Sequence, residues 1–274
     1  MQFNIGFSPC PNDTFIFDAL VNNKIDTEGI EFIPVMEDVE TLNSNAIKSK
    51  YDISKITYGV YPVVKNEYII FNSGSALGKG VGPLLIANDH QDISSVEDNI
   101  IAIPGINTTA HFLFSTAYPN AKKKVFLGYH EIESFVLEGK GLGVIIHENR
   151  FTYHTKGLVN VIDLGDFWEK NTQSPIPLGG VVIKRSIEKS IQQQVDRLIK
   201  KSIEYSFANY PNLDDYIKTN AQEMSEDVML KHIDLYVNDY TLSLGENGKA
   251  AIRKMFEFFA KDASDMNSLQ LFVD

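Results

Sequence analysis

Short apolar runs that suit β-strands alternate with helical patterns from the N-terminus to Ile183. These runs are rich in β-branched and aromatic residues, and each is followed by a turn or by a segment with helical spacing. Strands that alternate with helices in this way predict βαβ units and a largely parallel sheet. The fold class predicted from the sequence is therefore α/β.

The expected elements can be given as ranges. The strands are expected at Phe3–Phe7, Gly29–Met36, Asp52–Ile56, Tyr68–Phe71, Leu84–Ala87, Ile100–Ile103, Lys124–Leu127, Leu142–His147 and Val181–Ile183. The helices are expected at Asp13–Val21, Tyr58–Val64, Thr109–Ala117, Glu131–Leu137, Glu188–Ala208, Leu213–Asn220, Glu226–Tyr236 and Glu246–Lys261, with one more ending near Lys48.

The length and the change to helices after Ile183 indicate two lobes. A chain of 274 residues has room for one large domain or two lobes, and it contains no linker rich in Pro, Gly and Ser. We expect residues 1–86 and 184–274 to form lobe 1, which the chain leaves and rejoins, and residues 87–183 to form lobe 2.

The charge balance restricts the partners. The chain has 25 basic and 36 acidic residues and a formal net charge of −11. Nucleic acids and anionic membranes attract clustered Lys and Arg, so neither is expected as a partner. A small anionic ligand would have to be captured by local contacts. The sequence leaves a homodimer open.

The N-terminal residues and the single cysteine indicate a cytoplasmic protein. Residues 1–15 have no basic segment followed by a long apolar one, so no secretory signal is expected. No stretch approaches the ~18 apolar residues of a membrane-spanning helix. Cys10 has no partner for an intramolecular disulfide, and it could be either a nucleophile or a structural thiol.

Two strand–turn–helix junctions could bind an anion. In the first, residues 8–14, Ser8 and Asn12 precede a helix, and Asn12 is expected to be its N-cap. In the second, Asn107, Thr108 and Thr109 follow Gly105 and are expected to offer a cap, two hydroxyls and free backbone N–H groups, a cradle for an anion or a carboxylate. Each junction could equally be an ordinary capped turn without a ligand.

His147 and Lys55 are the candidate titratable groups. His147 follows a buried-type strand, where α/β proteins bind ligands, and its imidazole suits a general base. The alternatives are a hydrogen-bonded or exposed histidine without a catalytic role and, for Lys55, a solvated surface lysine.

Metal and nucleotide sites are not expected. The histidines and the single cysteine lack metal-ligand spacing. The glycine-rich stretches at 78–82 and 139–143 lack the strand–turn–helix context of a dinucleotide or phosphate loop.

Seven segments, taken together and in order, resemble the 1,4-dihydroxy-6-naphthoate synthase family of the futalosine route to menaquinone. They cover nearly the whole chain: Ser8–Phe15, Ile53–Lys55, Gly74–Pro83, Ile103–Ala110, Gly143–Tyr153, Ser174–Gly180 and Tyr236–Glu246.

The resemblance implies a fold, a reaction and a set of site residues. The fold would be two-lobed and periplasmic-binding-protein-like, of type II, with a ligand cleft between the lobes. The reaction would convert cyclic dehypoxanthinylfutalosine to 1,4-dihydroxy-6-naphthoate with release of dihydroxyacetone, and it would need no cofactor. The family's general base matches His147. Its substrate contacts match Lys55, Ile56 and Thr57 together with Thr108, Thr109 and Ala110.

Two other functions stay open at this point. The same fold serves non-catalytic receptors for small carboxylates, and the chorismate dehydratase of the same route shares the fold. Product analysis with each substrate would separate these functions.

Overall fold

The computed structural model describes residues 1–90, 93, 95–221, 225–259 and 269–274. Its strands, in chain order, are β1 (Gln2–Phe7), β2 (Glu31–Met36), β3 (Ile53–Thr57), β4 (Tyr68–Ile70), β5 (Ala76–Gly78), β6 (Leu84–Asn88), β7 (Ile101–Ile103), β8 (Lys124–Phe126), β9 (Leu142–Ile145), β10 (Leu158–Asp163) and β11 (Ile176–Lys184).

Its helices are α1 (Pro11–Val21), α2 (Val39–Ile47), α3 (Tyr61–Val64), α4 (Thr109–Ala117), α5 (Ile132–Leu137), α6 (Asn149–Thr152), α7 (Leu164–Thr172), α8 (Lys189–Asn209), α9 (Asp215–Asn220), α10 (Glu226–Tyr236), α11 (Asp239–Leu242) and α12 (Gly245–Phe259). Short 3-10 turns lie at Val96–Asp98, Tyr129–Glu131 and Tyr153–Lys156. The predicted helix end at Lys261 lies outside the described residues.

The first compact unit comprises Met1–Gly78 and Pro177–Asp274. Its sheet has the order β2-β1-β3-β11-β4, and β5 pairs with β11. Strand β1 is parallel to β2 and β3, whereas β11 is antiparallel to β3 and β4. Apolar side chains of the sheet pack against α1 and α8, and the core includes Ile5, Phe7, Phe17, Ile53, Val181, Leu198 and Ile199.

The second unit comprises Lys79–Ile176. Its sheet has the order β10-β6-β9-β7-β8, with β7 parallel to β8 and β9 and with β6 antiparallel to β9 and β10. Helix α5 lies close against β9, because a Cβ at Gly143 would come within 2.5 Å of Ile132 and 2.7 Å of Val136. These two side chains and those of β6 and β9 form the core of the unit.

The expectation of a largely parallel sheet is wrong, because both sheets are mixed. Apolar periodicity shows which residues face the core, but it does not show the direction of the neighbouring strand. The unit boundaries also differ from those given by the sequence pattern. Strand β6 pairs with β9 and β10 of the second unit, and residues 179–184 of β11 pair with β3 and β4 of the first unit.

Most predicted elements are present, and Thr109–Ala117 and Glu226–Tyr236 match α4 and α10 end to end. Strands β5 and β10 and helices α6, α7 and α11 are not among the elements that the sequence pattern predicts. A cap signal was available for α7, since Asp163 accepts hydrogen bonds from the backbone N–H groups of Gly165 and Asp166.

Candidate functional site

In the first unit, the candidate residues lie at the carboxyl ends of β1 and β3. These strands are parallel, with Ile5 beside Ile53 and Gly6 beside Ser54. The residues that follow β1 and those that end β3 therefore meet at one edge of the sheet, where open α/β folds bind ligands.

Helix α1 starts earlier than the sequence suggested, so the prediction of Asn12 as its N-cap is wrong. Cys10 is the N-cap residue without a side-chain cap, and Pro11 occupies the first turn. Proline suits that position, because its fixed φ is helical and its missing N–H would have no partner there. The carbonyl of Cys10 accepts from the N–H groups of Asp13 and Thr14, both at 3.0 Å.

Lys55 is buried, which excludes the alternative of a solvated surface lysine. It is 6% exposed. Its Nζ lies 3.0 Å from Asp13 Oδ1 and donates to the Gly74 carbonyl at 2.8 Å. Its charge is therefore balanced within the protein, and Lys55 can offer a ligand a hydrogen-bond donor without a net positive charge.

Asp13 connects the first-unit residues, although the sequence analysis did not select it. Its Oδ2 accepts from the Ser8 Oγ at 2.8 Å and from the Ser8 N–H at 3.2 Å, and its Oδ1 accepts from Asn12 Nδ2 at 2.9 Å. Together with Lys55, these donors surround a carboxylate that is 3% exposed. We call Ser8, Asn12, Asp13 and Lys55 the Asp13 cluster.

Ile56 and Thr57 continue β3 beside this cluster. Ile56 is 1% exposed, so its side chain belongs to the apolar interior. Asn43 holds Thr57 at two points: its Nδ2 donates to Thr57 Oγ1, and its Oδ1 accepts from the Thr57 N–H, both at 3.0 Å. The position of the last residue of β3 is thus fixed by hydrogen bonds to Asn43.

In the second unit, Thr108 is the N-cap of α4. Its Oγ1 accepts from the His111 N–H at 3.1 Å and donates to the Gly105 carbonyl at 2.9 Å. Gly105 has a φ of +113°, which favours glycine. Thr108, Thr109 and Ala110 are all buried. The His111 N–H is therefore satisfied by the cap, while the N-terminus of α4 carries the partial positive charge that favours an anion.

His147 lies just beyond β9, which ends at Ile145. The observed strand is shorter than the predicted Leu142–His147, and His147 itself has a left-handed φ of +57°, which a strand does not allow. Its ring is partly exposed and meets the Tyr129 ring edge to face, at a centroid distance of 5.2 Å and an angle of 66°.

The Thr108 junction and His147 both follow the carboxyl ends of strands at the same edge of the second sheet. Strands β7 and β9 are parallel neighbours, with Ile101 beside Leu142 and Ala102 beside Gly143. Neighbouring strands lie about 4.8 Å apart. The donors of α4 and the imidazole therefore belong to one candidate surface of this unit.

Arg150 anchors the segment that carries His147, and the sequence analysis missed it. Its guanidinium donates to the Asp163 carboxylate at 2.7 Å, to the Gly80 carbonyl at 2.9 Å and to the Gly82 carbonyl. The glycine-rich stretch at 78–82 thus provides two carbonyl acceptors for Arg150. These hydrogen bonds fix the segment that follows His147 to this stretch.

His111 lies on α4 near the Thr108 junction. Its Nδ1 lies 2.8 Å from the Ile106 carbonyl, and its Nε2 lies 3.4 Å from Lys124 Nζ. Burial lowers the pKa of His111, the Ile106 carbonyl opposes this shift, and the Lys124 charge adds to it. The neutral imidazole is therefore favoured in the fold.

Cys10 is 6% exposed in the turn between β1 and α1, which favours a structural thiol over a nucleophile.

Within the ranges that the structure describes, no three His, Cys, Asp or Glu side chains come together as a metal site. Among the helices of that same part of the chain, none has both the length and the apolar character needed to cross a bilayer.

Comparisons with known proteins agree on one family. A family model described as menaquinone biosynthesis matches residues 3–261. A protein of Thermus thermophilus named 1,4-dihydroxy-6-naphthoate synthase is 40% identical over 253 residues, which cover 92% of each chain.

Solved structures agree on the fold. A protein of Archaeoglobus fulgidus has a TM-score of 0.86 and 30% identity, covering 97% of both chains. The periplasmic aliphatic sulphonate binding protein of Escherichia coli has a TM-score of 0.61 at 11% identity, covering 98% of this chain and 90% of its own. This second likeness shows the fold alone, which is periplasmic-binding-protein-like, as expected. The chain therefore belongs to the menaquinone biosynthesis family and is similar, over most of its length, to an enzyme named 1,4-dihydroxy-6-naphthoate synthase.

Proposed function

We propose that the protein is a carbon–carbon lyase that converts cyclic dehypoxanthinylfutalosine to 1,4-dihydroxy-6-naphthoate and releases dihydroxyacetone. The similarity to the Thermus thermophilus synthase supports this substrate and product. The observation that carries the proposal is the placement of His147. Its imidazole lies just beyond the carboxyl end of β9. The neighbouring parallel strand is β7, and the chain runs from its carboxyl end to the N-terminus of α4.

His147 would act as the general base. It removes a proton from a hydroxyl or a carbon of the substrate, the carbon–carbon bond to the three-carbon fragment breaks as an elimination, and the remaining ring system becomes aromatic. An imidazole can take up a proton near neutral pH. Its partly exposed ring and its anchored backbone support this role, because a general base must be both reachable and fixed.

The other candidate residues would bind and orient the substrate. In the second unit these are Thr108, Thr109 and Ala110, whose first-turn donors suit a carboxylate. In the first unit they are Ser8, Asn12 and the Lys55–Thr57 segment. Because Asp13 neutralises Lys55 at 3.0 Å, the expected affinity comes from hydrogen bonds and depends weakly on salt.

The test is incubation with the cyclic substrate and chromatographic detection of the naphthoate and of dihydroxyacetone. His147→Ala should lower kcat by about 100-fold to 10,000-fold, the usual range for a general base, while the naphthoate still binds. His154→Ala is the matched control, because His154 is an exposed histidine of the same unit. Turnover by His147→Ala close to that of the control would refute the assignment.

The same assay separates the other functions. Binding of the naphthoate without turnover would favour a non-catalytic carboxylate-binding protein, and dehydration of chorismate would favour the related enzyme of the route. The cytoplasmic location is also part of this proposal, and cell fractionation tests it.

A further inference from the structure

His232 is a buried titratable group that the proposed chemistry does not use. It lies on α10 in the first unit and is 0% exposed. It shares the inward face of that helix with Met229, Ile233 and Tyr236, and its ring lies 4.7 Å from the Tyr236 ring. Its Nε2 lies 3.0 Å from Asn12 Oδ1, across 220 residues of sequence.

The Asp13 cluster determines the direction of the hydrogen bond between His232 and Asn12. Asp13 is paired with Lys55, and an ionised carboxylate can only accept hydrogen bonds. The Asn12 side chain must therefore turn its Nδ2 toward Asp13 Oδ1, at 2.9 Å, which leaves its Oδ1 toward His232. Since this amide oxygen is an acceptor, His232 Nε2 must carry a proton and donate it.

Asn12 is the partly exposed member of a chain whose other members are buried. His232, Asp13 and Lys55 are 0%, 3% and 6% exposed, respectively. Two buried partners hold the two ends of the Asn12 amide, so it cannot flip without losing both hydrogen bonds. The amide is thus fixed in one orientation before any ligand arrives.

We propose that His232 is a positioning residue for substrate binding, which acts by donating from Nε2 to Asn12 and so fixing the face that Asn12 presents to the substrate. This inference rests on the proposed function, since it takes Asn12 as a substrate contact. Preorganised donors and acceptors give affinity and rate because no orientation entropy is lost on binding.

The test compares two variants of His232 with a matched control. His232→Leu removes the donor, whereas His232→Gln keeps an N–H near the position of Nε2. We expect His232→Leu to raise KM about tenfold, the usual effect of losing one such hydrogen bond, with kcat changed less, and His232→Gln to restore most of the affinity. Met229→Ala removes another buried side chain from the same helix face and should leave KM unchanged, although it lowers the melting temperature.

A double-mutant cycle separates positioning from general damage. In an Asn12→Ala background, His232→Leu should have no further effect on KM or on the Kd of the naphthoate, measured by calorimetry. A full additional tenfold loss in that background would overturn the proposal. So would equal losses in His232→Leu, His232→Gln and Met229→Ala that follow their melting temperatures.

A measurement on the unaltered protein does not need activity. Nitrogen-15 NMR should show His232 Nε2 protonated and its proton protected from exchange. An unprotonated Nε2 would refute the inference even if the enzyme turns over its substrate. Conversely, a protonated Nε2 in a protein that binds the naphthoate but does not turn over the cyclic substrate would refute the proposed reaction and leave the positioning role standing.

Discussion

Removing the Asp13 carboxylate tests whether a buried ion pair holds the turn between β1 and α1. In Asp13→Ala, Lys55 would lose its carboxylate partner in a site where its side chain is 7% exposed, and the Gly74 carbonyl at 2.8 Å would stay as an acceptor. Ser8 and Asn12 would also lose their common acceptor. Breaking a buried pair on one side costs about 3–5 kcal/mol, and the hydrogen-bond donors left without an acceptor bring the expected loss for this variant to about 5 kcal/mol.

The opposite substitution should cost less. In Lys55→Met the carboxylate retains three hydrogen bonds, from Ser8 N–H, Ser8 Oγ and Asn12 Nδ2, so we expect about 3 kcal/mol. The double variant should be more stable than the sum of the two losses predicts, because it leaves no unpaired charge.

Urea unfolding followed by far-UV circular dichroism measures these free energies. The single tryptophan, Trp168, lies in the second unit, so its fluorescence separates a loss confined to the first unit from a loss in both. The control is Asp227→Ala, which removes an exposed i,i+4 pair with Lys231 and should cost at most about 0.5 kcal/mol. A cost for Asp13→Ala no larger than that of this control would refute the reasoning.

Three further predictions concern the second unit. Thr108→Ala should lower stability by about 1 kcal/mol in thermal melts through loss of the α4 cap, and Thr108→Ser should not; equal melting temperatures of these two variants would contradict the cap. His147→Gly should be more stable than His147→Ala by roughly 1 kcal/mol because of the positive φ, although both should show the lowered kcat expected without the imidazole; an alanine variant at least as stable would argue against the strained backbone. His111 should titrate below 6.5 by NMR, since burial lowers its pKa. Its contribution to stability should therefore be present above about pH 6.5 and be lost as the pH falls through the lowered pKa, and a midpoint at or above 6.5 would contradict this.

Local signals in the sequence were sufficient for the Thr108 junction and for the approximate position of His147. Gly105 follows a strand and has the positive φ of a turn glycine, and α4 begins at Thr109 as predicted. The Asn12 cap was wrong because Pro11 can begin a helix, which moved the helix start by two residues relative to the predicted start at Asp13.

Local sequence signals do not predict the hydrogen-bond partners of Arg150 and His232. Arg150 reaches Gly80, and His232 reaches Asn12, across 70 and 220 residues. Nothing in the neighbourhood of either residue in the chain indicates these contacts. They depend on strand order, and the strand order depends on which apolar faces bury each other.

The sequence by itself determined the α/β class, most of the helices and strands, and the two turns that carry the candidate donors, because strand and helix periodicity, caps and glycine positions are properties of neighbouring residues. Only the tertiary structure decided the mixed direction of both sheets, the burial of Lys55 against Asp13, and the link from His232 to Asn12. Those outcomes depend on contacts between residues that are far apart in the sequence. A charged group or an imidazole is buried only where a partner from elsewhere in the chain offsets the cost of removing it from water.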